Sequence, residues 1–152
     1  MSDGATVDHK ALDFIFGPYN FKNGRAKGQY LQVVYNTEQF VENVGIDGEG
    51  FWVPVGDLSA RITTSFQQSA DANDILSALF IADLAAPGGL LLPLIIRESN
   101  GRTRYAATRA RIVKMADGVW SDGGEVRTWT FSATRLNGFV GGVGATPLNP
   151  SP

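Results

Sequence analysis

The sequence predicts a mainly β domain of antiparallel strands with one inserted α-helix. Runs in which apolar and polar side chains alternate recur along the chain and are separated mostly by Gly, Asn and Asp. The pairs Asn100-Gly101 and Asp47-Gly48 are typical of tight hairpin turns, which join antiparallel neighbours. A single segment, after Ser69, has the longer period of a helix. The predicted strands are Leu12–Phe16, Tyr30–Asn36, Gln39–Val44, Phe51–Val55, Arg61–Gln68, Leu90–Arg97, Arg104–Lys114 and Val126–Leu136.

The composition argues against a catalytic role. The chain has 152 residues with 43% hydrophobic content, which suffices for one domain with its own core. It has no cysteine, and its one histidine, His9, lies in a polar terminal segment, so a catalytic triad or a histidine metal site has no basis. We therefore predict that the protein is not an enzyme and uses no metal or other cofactor. The formal net charge of −2 also argues against tight nucleic-acid binding.

We predict one domain over residues 11–140, with a flexible segment at 1–10 and a tail rich in Gly and Pro at 141–152. The first ten residues lack the apolar stretch of a secretory signal. The most apolar window, around LLLPLII, is interrupted by Asp, Gly and Pro, so no membrane span is predicted. The tail is either disordered or a strap that binds a neighbouring subunit through Phe139 and Val140.

The strand from Arg61 to Gln68 has one apolar and one polar face. Ile62 and Phe66 alternate with side chains that carry charge, hydroxyl or amide groups. Once the apolar face is assigned to the core, the opposite face must meet water or a neighbouring molecule. That opposite face consists of Arg61, Thr63, Ser65 and Gln67, and the earlier strand adds Gln32 and Asn36.

The predicted helix covers residues 72–84. Asp71 is predicted as its N-cap and Asp74 as its third residue, where free backbone amides and the helix dipole favour negative charge. Apolar side chains cover most of its circumference, so the helix requires packing partners on more than one side. Either a sheet and a loop of the same chain provide them, or a neighbouring subunit provides part of the cover.

Phe51 and Trp52 directly follow a glycine-rich turn. Large aromatic side chains in such a place either close the end of a barrel or anchor a partner. The sequence leaves both alternatives open.

Four ordered segments carry a family resemblance: YLQVVYNTEQFVENVGIDGE, ARITTSFQQSADANDILSAL, LLPLIIRESNG and GGEVRTWTFSATRL. The most specific parts are the F-x-x-x-V-G-x-D-G-E run from Phe40 to Glu49 and the strand-to-helix junction from Gln67 to Leu79. Over the range from Leu12 to Val143, the chain resembles the tail tube protein of contractile-tailed bacteriophages. Related tubes occur in type VI secretion and other contractile injection machines.

The resemblance implies an antiparallel β-sandwich or half-barrel with one flanking helix, which completes a closed β-barrel tube as a ring oligomer. Six copies would form each ring, and stacked rings would form a hollow conduit for genome ejection. The implied partners are further copies of the chain, the tail sheath, the baseplate and the tail terminator, with double-stranded DNA passing through the lumen without specific binding. The implied location is the virion, after synthesis in the host cytoplasm.

The same resemblance gives roles to the exposed residues predicted above. These polar side chains would line the lumen, where hydroxyl and amide groups let a polyanion slide. We expect Arg61 to lie at the rim of the lumen or beside a carboxylate. The lumen residues are Arg61, Thr63, Ser65, Gln67, Gln32 and Asn36. The predicted subunit interface consists of Phe51, Trp52, Leu76, Phe80, Phe139 and Val140.

An alternative function from a different class is a monomeric β-barrel that binds a small apolar ligand. LLLPLII and Trp129 would line its pocket. An enzyme is the third alternative, and the lack of cysteine and near lack of histidine argue against it.

Overall fold

The computed structural model describes residues 12–86, 91–99 and 101–141. In these residues it contains ten strands and one helix. The predicted segment at 1–10, with His9, and the tail beyond 141 lie outside the described residues. The elements are β1 (Leu12–Phe16), β2 (Tyr19–Asn20), β3 (Leu31–Tyr35), β4 (Phe40–Val44), β5 (Gly50–Pro54), β6 (Ala60–Gln67), α1 (Asp71–Ala85), β7 (Leu92–Glu98), β8 (Arg104–Lys114), β9 (Val126–Ala133) and β10 (Asn137–Phe139).

Eight strands form one sheet in the order β2-β1-β7-β8-β9-β6-β3, with β10 paired to the first part of β8. Every pairing between named strands is antiparallel, as predicted. β4 and β5 form a separate two-stranded sheet. The mainly β, antiparallel fold with one helix is therefore confirmed.

The large sheet is strongly curled. β1 and β9 are separated by β7 and β8, which in a flat sheet would place them about 14 Å apart. Yet the rings of Phe14 in β1 and Phe131 in β9 meet edge to face, with centroids 5.4 Å apart. The concave side of the sheet therefore encloses much of the core. Within the described residues the sheet does not close into a barrel, because β2 and β3 remain its edges.

The core fills this concave side and is covered by α1. Its fully buried large side chains are Trp129, Phe14, Phe16, Phe66, Phe131, Ile62, Leu76, Leu94 and Leu136. Three of the residues predicted to line an apolar ligand pocket, Leu94, Ile96 and Trp129, belong to this packed cluster. The structure therefore gives no support to the small-ligand alternative.

The helix begins as predicted within one residue, but its predicted cap is wrong. Ala70 is the N-cap, makes no side-chain cap bond, and leaves Asp71 inside the first turn. Asn73 instead braces the junction: its amide nitrogen donates to the carbonyl oxygens of Gln67 and Gln68, at 3.0 and 3.3 Å. Its amide oxygen accepts a 3.0 Å bond from the indole nitrogen of Trp129. Asp71 and Asp74 still lie in the first turn, where their negative charges interact favourably with the helix dipole.

The cover of α1 is one-sided. Leu76 is 0% exposed in the core of its own chain, so its predicted role in the subunit interface is wrong. Phe80 is half-buried against the same core. On the opposite side Ile81 and Leu84 are 58% and 64% exposed, so the described residues do not clamp the helix between the sheet and a loop.

Two ion-pair groups hold the edges of this structure. Asp13, only 6% exposed, binds Lys22 Nζ at 3.1 Å and Arg97 Nε at 3.0 Å. The hydrogen bond from Arg97 is the main reason that the pKa of Asp13 lies below its ordinary value; Lys22 and Asn20 add to the shift and burial opposes it. Arg111 of β8 binds both carboxylate oxygens of Asp83, at 2.9 and 3.2 Å, and so fixes the last turns of α1 to the sheet.

No helix in the described residues is long and apolar enough to cross a bilayer.

Candidate assembly surfaces

The predicted lumen residues do come together on one face of the sheet. Arg61, Thr63, Ser65 and Gln67 alternate with buried residues of β6 and point away from the core. Gln32 of β3 lies directly opposite Thr63 and is exposed. Asn36 lies just beyond β3, where its side-chain amide donates a 2.9 Å bond to the Ser59 hydroxyl.

β9 extends this face with hydroxyl groups. Its outward side chains lie directly opposite those of β6, and Ser65 Oγ and Thr128 Oγ1 are 2.9 Å apart. Arg61 lies opposite Ser132 and has no carboxylate within ion-pair distance in the described chain, so the carboxylate expected beside it is absent there. We call this surface the polar face: Gln32, Arg61, Thr63, Ser65, Gln67, Thr128, Thr130 and Ser132.

We call β4, β5 and the turn between them, residues 40–54, the arm. Every residue of its two strands is exposed, and neither strand pairs with the large sheet. Because neighbouring residues of a strand point to opposite faces, Phe51 and Trp52 lie on opposite sides of the arm. They are 52% and 69% exposed, so within the described chain they do not close the end of a barrel.

Both faces of the arm carry exposed apolar side chains. Val41 lies opposite Val53 on one face, while Glu42 lies opposite Trp52 on the other, flanked by Phe40 and by Val44, which is 74% exposed. A solitary hairpin is marginally stable in water, and apolar surface on both of its sides requires burial elsewhere. The sequence analysis did not predict that the arm is separate from the large sheet. Consecutive apolar residues at 40–41 and 51–53 break the alternation of a strand and indicate apolar side chains on both faces.

Polar contacts fix the base of the arm. Val55 N donates a 2.8 Å bond to Gln39 O, directly beyond the two strands. Asp57 accepts a 2.9 Å bond from the backbone N–H of Ser59 and a 3.3 Å bond from the Thr37 hydroxyl. The Ser59 N–H is the main reason that the pKa of Asp57 lies below its ordinary value.

A second exposed apolar surface lies at β10. Phe139 and Val140 are 59% and 74% exposed. Gly138 allows β10 to approach the sheet, because a Cβ there would lie 2.7 Å from the Tyr105 ring and 2.8 Å from the Tyr35 hydroxyl. Beyond β10, Gly141 N donates a 3.0 Å bond to Thr103 Oγ1, and that hydroxyl donates a 3.1 Å bond to Gly141 O.

Arginines flank this surface at both ends of β10. Arg104 lies directly opposite Phe139 in the pairing of β8 with β10, and Arg135 precedes the start of β10 by two residues. Both are exposed, and neither forms an ion pair with any described residue. We call Arg104, Arg135, Phe139 and Val140 the β10 patch.

None of the described residues form a cluster of three or more His, Cys, Asp or Glu side chains that could hold a metal. A recess of about 840 Å³ opens at the surface between the end of β6 and the loop before β9. It is lined mainly by polar residues: Lys27, Gln67, Gln68, Ser69, Gly123, Gly124, Glu125 and Val126.

Comparison with known sequences found one phage relative. No family model matches the chain. Structural protein ORF10 of Pseudomonas phage KPP10 is 28% identical over 122 residues, which cover 78% of this chain and 69% of that protein.

Comparison with solved structures finds the same fold in phage-like particles. A chain of the sheath/tube terminator of the extracellular contractile injection system PVC matches with a TM-score of 0.61 at 14% identity, covering 91% of this chain and 100% of that one. A chain of the PVC sheath-tube complex matches with a TM-score of 0.57 at 11% identity, covering 88% of this chain and 91% of that one. A chain of the virion of a native gene transfer agent matches with a TM-score of 0.62 at 11% identity, covering 89% of this chain and 100% of that one.

These findings confirm the resemblance to phage tail proteins at the level of a structural component, and they include terminator and sheath-tube assemblies alike. The chain therefore resembles structural proteins of phage tail type in both its sequence and its fold.

Proposed function

We propose that the chain is the ring-forming subunit of a phage tail tube. Six copies form a ring, and stacked rings form the hollow conduit through which the genome leaves the virion. The observation that carries this proposal is the arm, which projects from the sheet with apolar side chains on both faces. Such an element gains stability only when other molecules cover it.

The open sheet supports closure between copies. Among the described residues, its edge strands β2 and β3 have no strand partner on one side. Edge strands tend to pair with another chain, and a ring that joins the edges of successive copies removes every free edge. Closure of this kind turns the curled sheet of each copy into one sector of a barrel.

In such a barrel the polar face lines the lumen. Its hydroxyl and amide groups hold water without concentrating positive charge, so the DNA phosphates find few counter-charges along the wall. Arg61 is the one cation of the polar face, and within the described chain it forms no ion pair. It lies near the Ala60 end of β6, which supports our assignment of Arg61 to the rim of the lumen.

The outward side of α1 suits contact outside the tube wall. Ile81 and Leu84 are uncovered there, and half-buried Phe80 lies beside them. We assign this side to a neighbouring subunit or to the surrounding sheath. The baseplate and the terminator would then meet the two ends of the stack.

A second candidate function is a terminator ring, which the similarity to the sheath/tube terminator favours. A terminator forms one ring that closes a tube, whereas a tube subunit stacks without limit. The two functions therefore differ in the number of rings, not in the fold.

Electron microscopy of the purified full-length chain tests the proposal. We expect hollow tubes of many stacked rings with sixfold symmetry, at concentrations where light scattering also rises. Single rings that never stack would favour the terminator. A 16.3 kDa monomer over a wide concentration range, without rings or tubes, would exclude both functions.

A further inference from the structure

The arm belongs to the most acidic part of the chain. Between Lys27 and Arg61 the sequence has no basic residue and five carboxylates. This segment carries −5 of a chain total of −2, which leaves +3 for the rest of the sequence. The five carboxylates are Glu38, Glu42, Asp47, Glu49 and Asp57.

The β10 patch has the opposite charge and the same apolar character. Phe139 and Val140 offer exposed apolar surface; Arg104 lies directly opposite Phe139, Arg135 precedes β10 by two residues, and neither arginine forms an ion pair within the described residues. On the arm, Trp52 lies directly opposite Glu42, so apolar surface and carboxylate are again side by side. The arm and the β10 patch therefore both expose apolar side chains, and their charges are opposite in sign.

We infer that the arm of one copy docks on the β10 patch of a second copy of this chain. This inference rests on the proposed assembly function and names the two surfaces that meet. The apolar side chains of the arm and of the patch bury one another, while arm carboxylates face Arg104 and Arg135. Complementary charge of this kind selects the partner surface and its register.

The contact is heterologous because the arm and the patch are different surfaces of the same chain. A heterologous contact repeats head to tail, and it generates a ring when the rotation closes or an open stack when it does not. Each docked copy keeps its own patch free for the next arm. One contact type can therefore propagate the assembly.

Charge-reversal variants of the full chain test this docking. The arm-reversed variant carries Glu42→Lys and Glu49→Lys, and the patch-reversed variant carries Arg104→Glu and Arg135→Glu. All four side chains are exposed, so both variants should fold, which circular dichroism and thermal unfolding will check. Lys27→Glu with Lys114→Glu is the matched control, because it makes the same charge change as the patch-reversed variant at exposed lysines elsewhere.

We expect each reversed variant alone to need at least a tenfold higher concentration than the natural chain for assembly. An equimolar mixture of the two should assemble again, because each arm then finds a patch of opposite charge. The control should assemble as the natural chain does. Added salt should weaken assembly of the natural chain, because charge pairs at an exposed rim are screened.

The inference is overturned if either reversed variant assembles as readily as the natural chain, or if the mixture of two folded variants fails to assemble. It is also overturned if the control variant is impaired to the same degree, since the effect would then follow net charge. If the natural chain assembles while these tests fail, the proposed function survives and only the docking is wrong. If the natural chain does not assemble at all, both are wrong.

Discussion

At the scale of single residues, Asp13 shows how a buried charge holds an edge of the sheet. Its carboxylate accepts bonds from Arg97, Lys22 and Asn20, which belong to β7, the loop after β2, and β2. The side chains of Arg97 and Lys22 are half exposed, so solvent weakens each ion pair. Asp13→Asn should lower the free energy of unfolding by about 1–2 kcal/mol, because three donors lose a charged and nearly buried acceptor.

The pH dependence of this effect has a definite sign. The pKa of Asp13 is lowered in the folded chain from an ordinary value of 3.8, so its stabilisation is complete above that pH and is lost as pH falls further through the lowered pKa. Asp117→Asn is the matched control, because Asp117 and its partner Lys114 are 74% and 66% exposed and their pair should contribute almost nothing. Urea unfolding of both variants at pH 7 and pH 3 measures the difference; equal losses for the two at pH 7 would contradict the role given to Asp13.

Asn73 and Asp71 provide a second comparison between neighbouring residues. Asn73→Ala removes two bonds to the strand end and leaves the buried indole N–H of Trp129 without an acceptor. We expect this substitution to destabilise the fold by about 1–3 kcal/mol. Asp71→Ala removes only a favourable charge near the helix dipole and should cost about 0.5 kcal/mol. Thermal unfolding of both variants measures the difference. If Asp71→Ala lowered the melting temperature more than Asn73→Ala, Asp71 would be the main determinant of this helix end.

The difference between these two residues shows what local pattern can predict. Alternation in the segment from Arg61 to Gln67 predicts the polar face, because a strand has a side-chain period of two wherever it lies in a sheet. The cap at Asp71 was predicted from sequence position alone. The true brace depends on Trp129, which is 56 residues away, and no local rule brings these side chains together.

At the scale of elements, the arm folds apart from the rest of the molecule. Gln39 and Val55 are hydrogen bonded at its base, so an Asn-Gly turn can replace residues 40–54 and join the two ends directly. The shortened chain should unfold at nearly the same temperature, because the arm strands pair only with each other. It should nevertheless fail to assemble, as sedimentation velocity will show. Assembly of the shortened chain at the natural concentration would remove the arm from any model of the tube.

The ends of the two arm strands were predicted to within one residue, whereas the separation of the arm from the large sheet was not predicted. Periodicity reports which face of a strand is apolar, but a strand with two apolar faces reads the same whether a domain core or another molecule covers it. The sequence pattern likewise could not predict the curl of the large sheet, because the curl depends on contacts such as that of Phe14 with Phe131 across two intervening strands. The apolar circumference of the predicted helix left a neighbouring subunit as one alternative, and the resemblance to phage tail proteins then pointed to assembly.

At the scale of the whole molecule, the polar face should become enclosed on assembly. Gln32→Cys introduces the chain's only thiol at an exposed position of that face. In unassembled protein, a small and a bulky maleimide should both react; in intact tubes the bulky one should be slowed at least tenfold, because it enters only through the open ends. Asp74→Cys, at an exposed position of α1, is the comparison site, because α1 covers the core and not the polar face. Bulky labelling of Gln32→Cys tubes at the rate of the unassembled protein would place this face on the outside.

The acidity of the arm also governs the chain before it meets its partners. An exposed hairpin with Phe, Trp and Val on both sides has the composition of an aggregation-prone segment. Glu42, Asp47 and Glu49 give every such hairpin the same negative sign, so two of them that approach one another are repelled before their apolar side chains meet. We therefore expect these carboxylates to keep unassembled copies soluble, and replacing Glu42, Asp47 and Glu49 by neutral residues should increase amorphous precipitation of the unassembled chain, as light scattering would show.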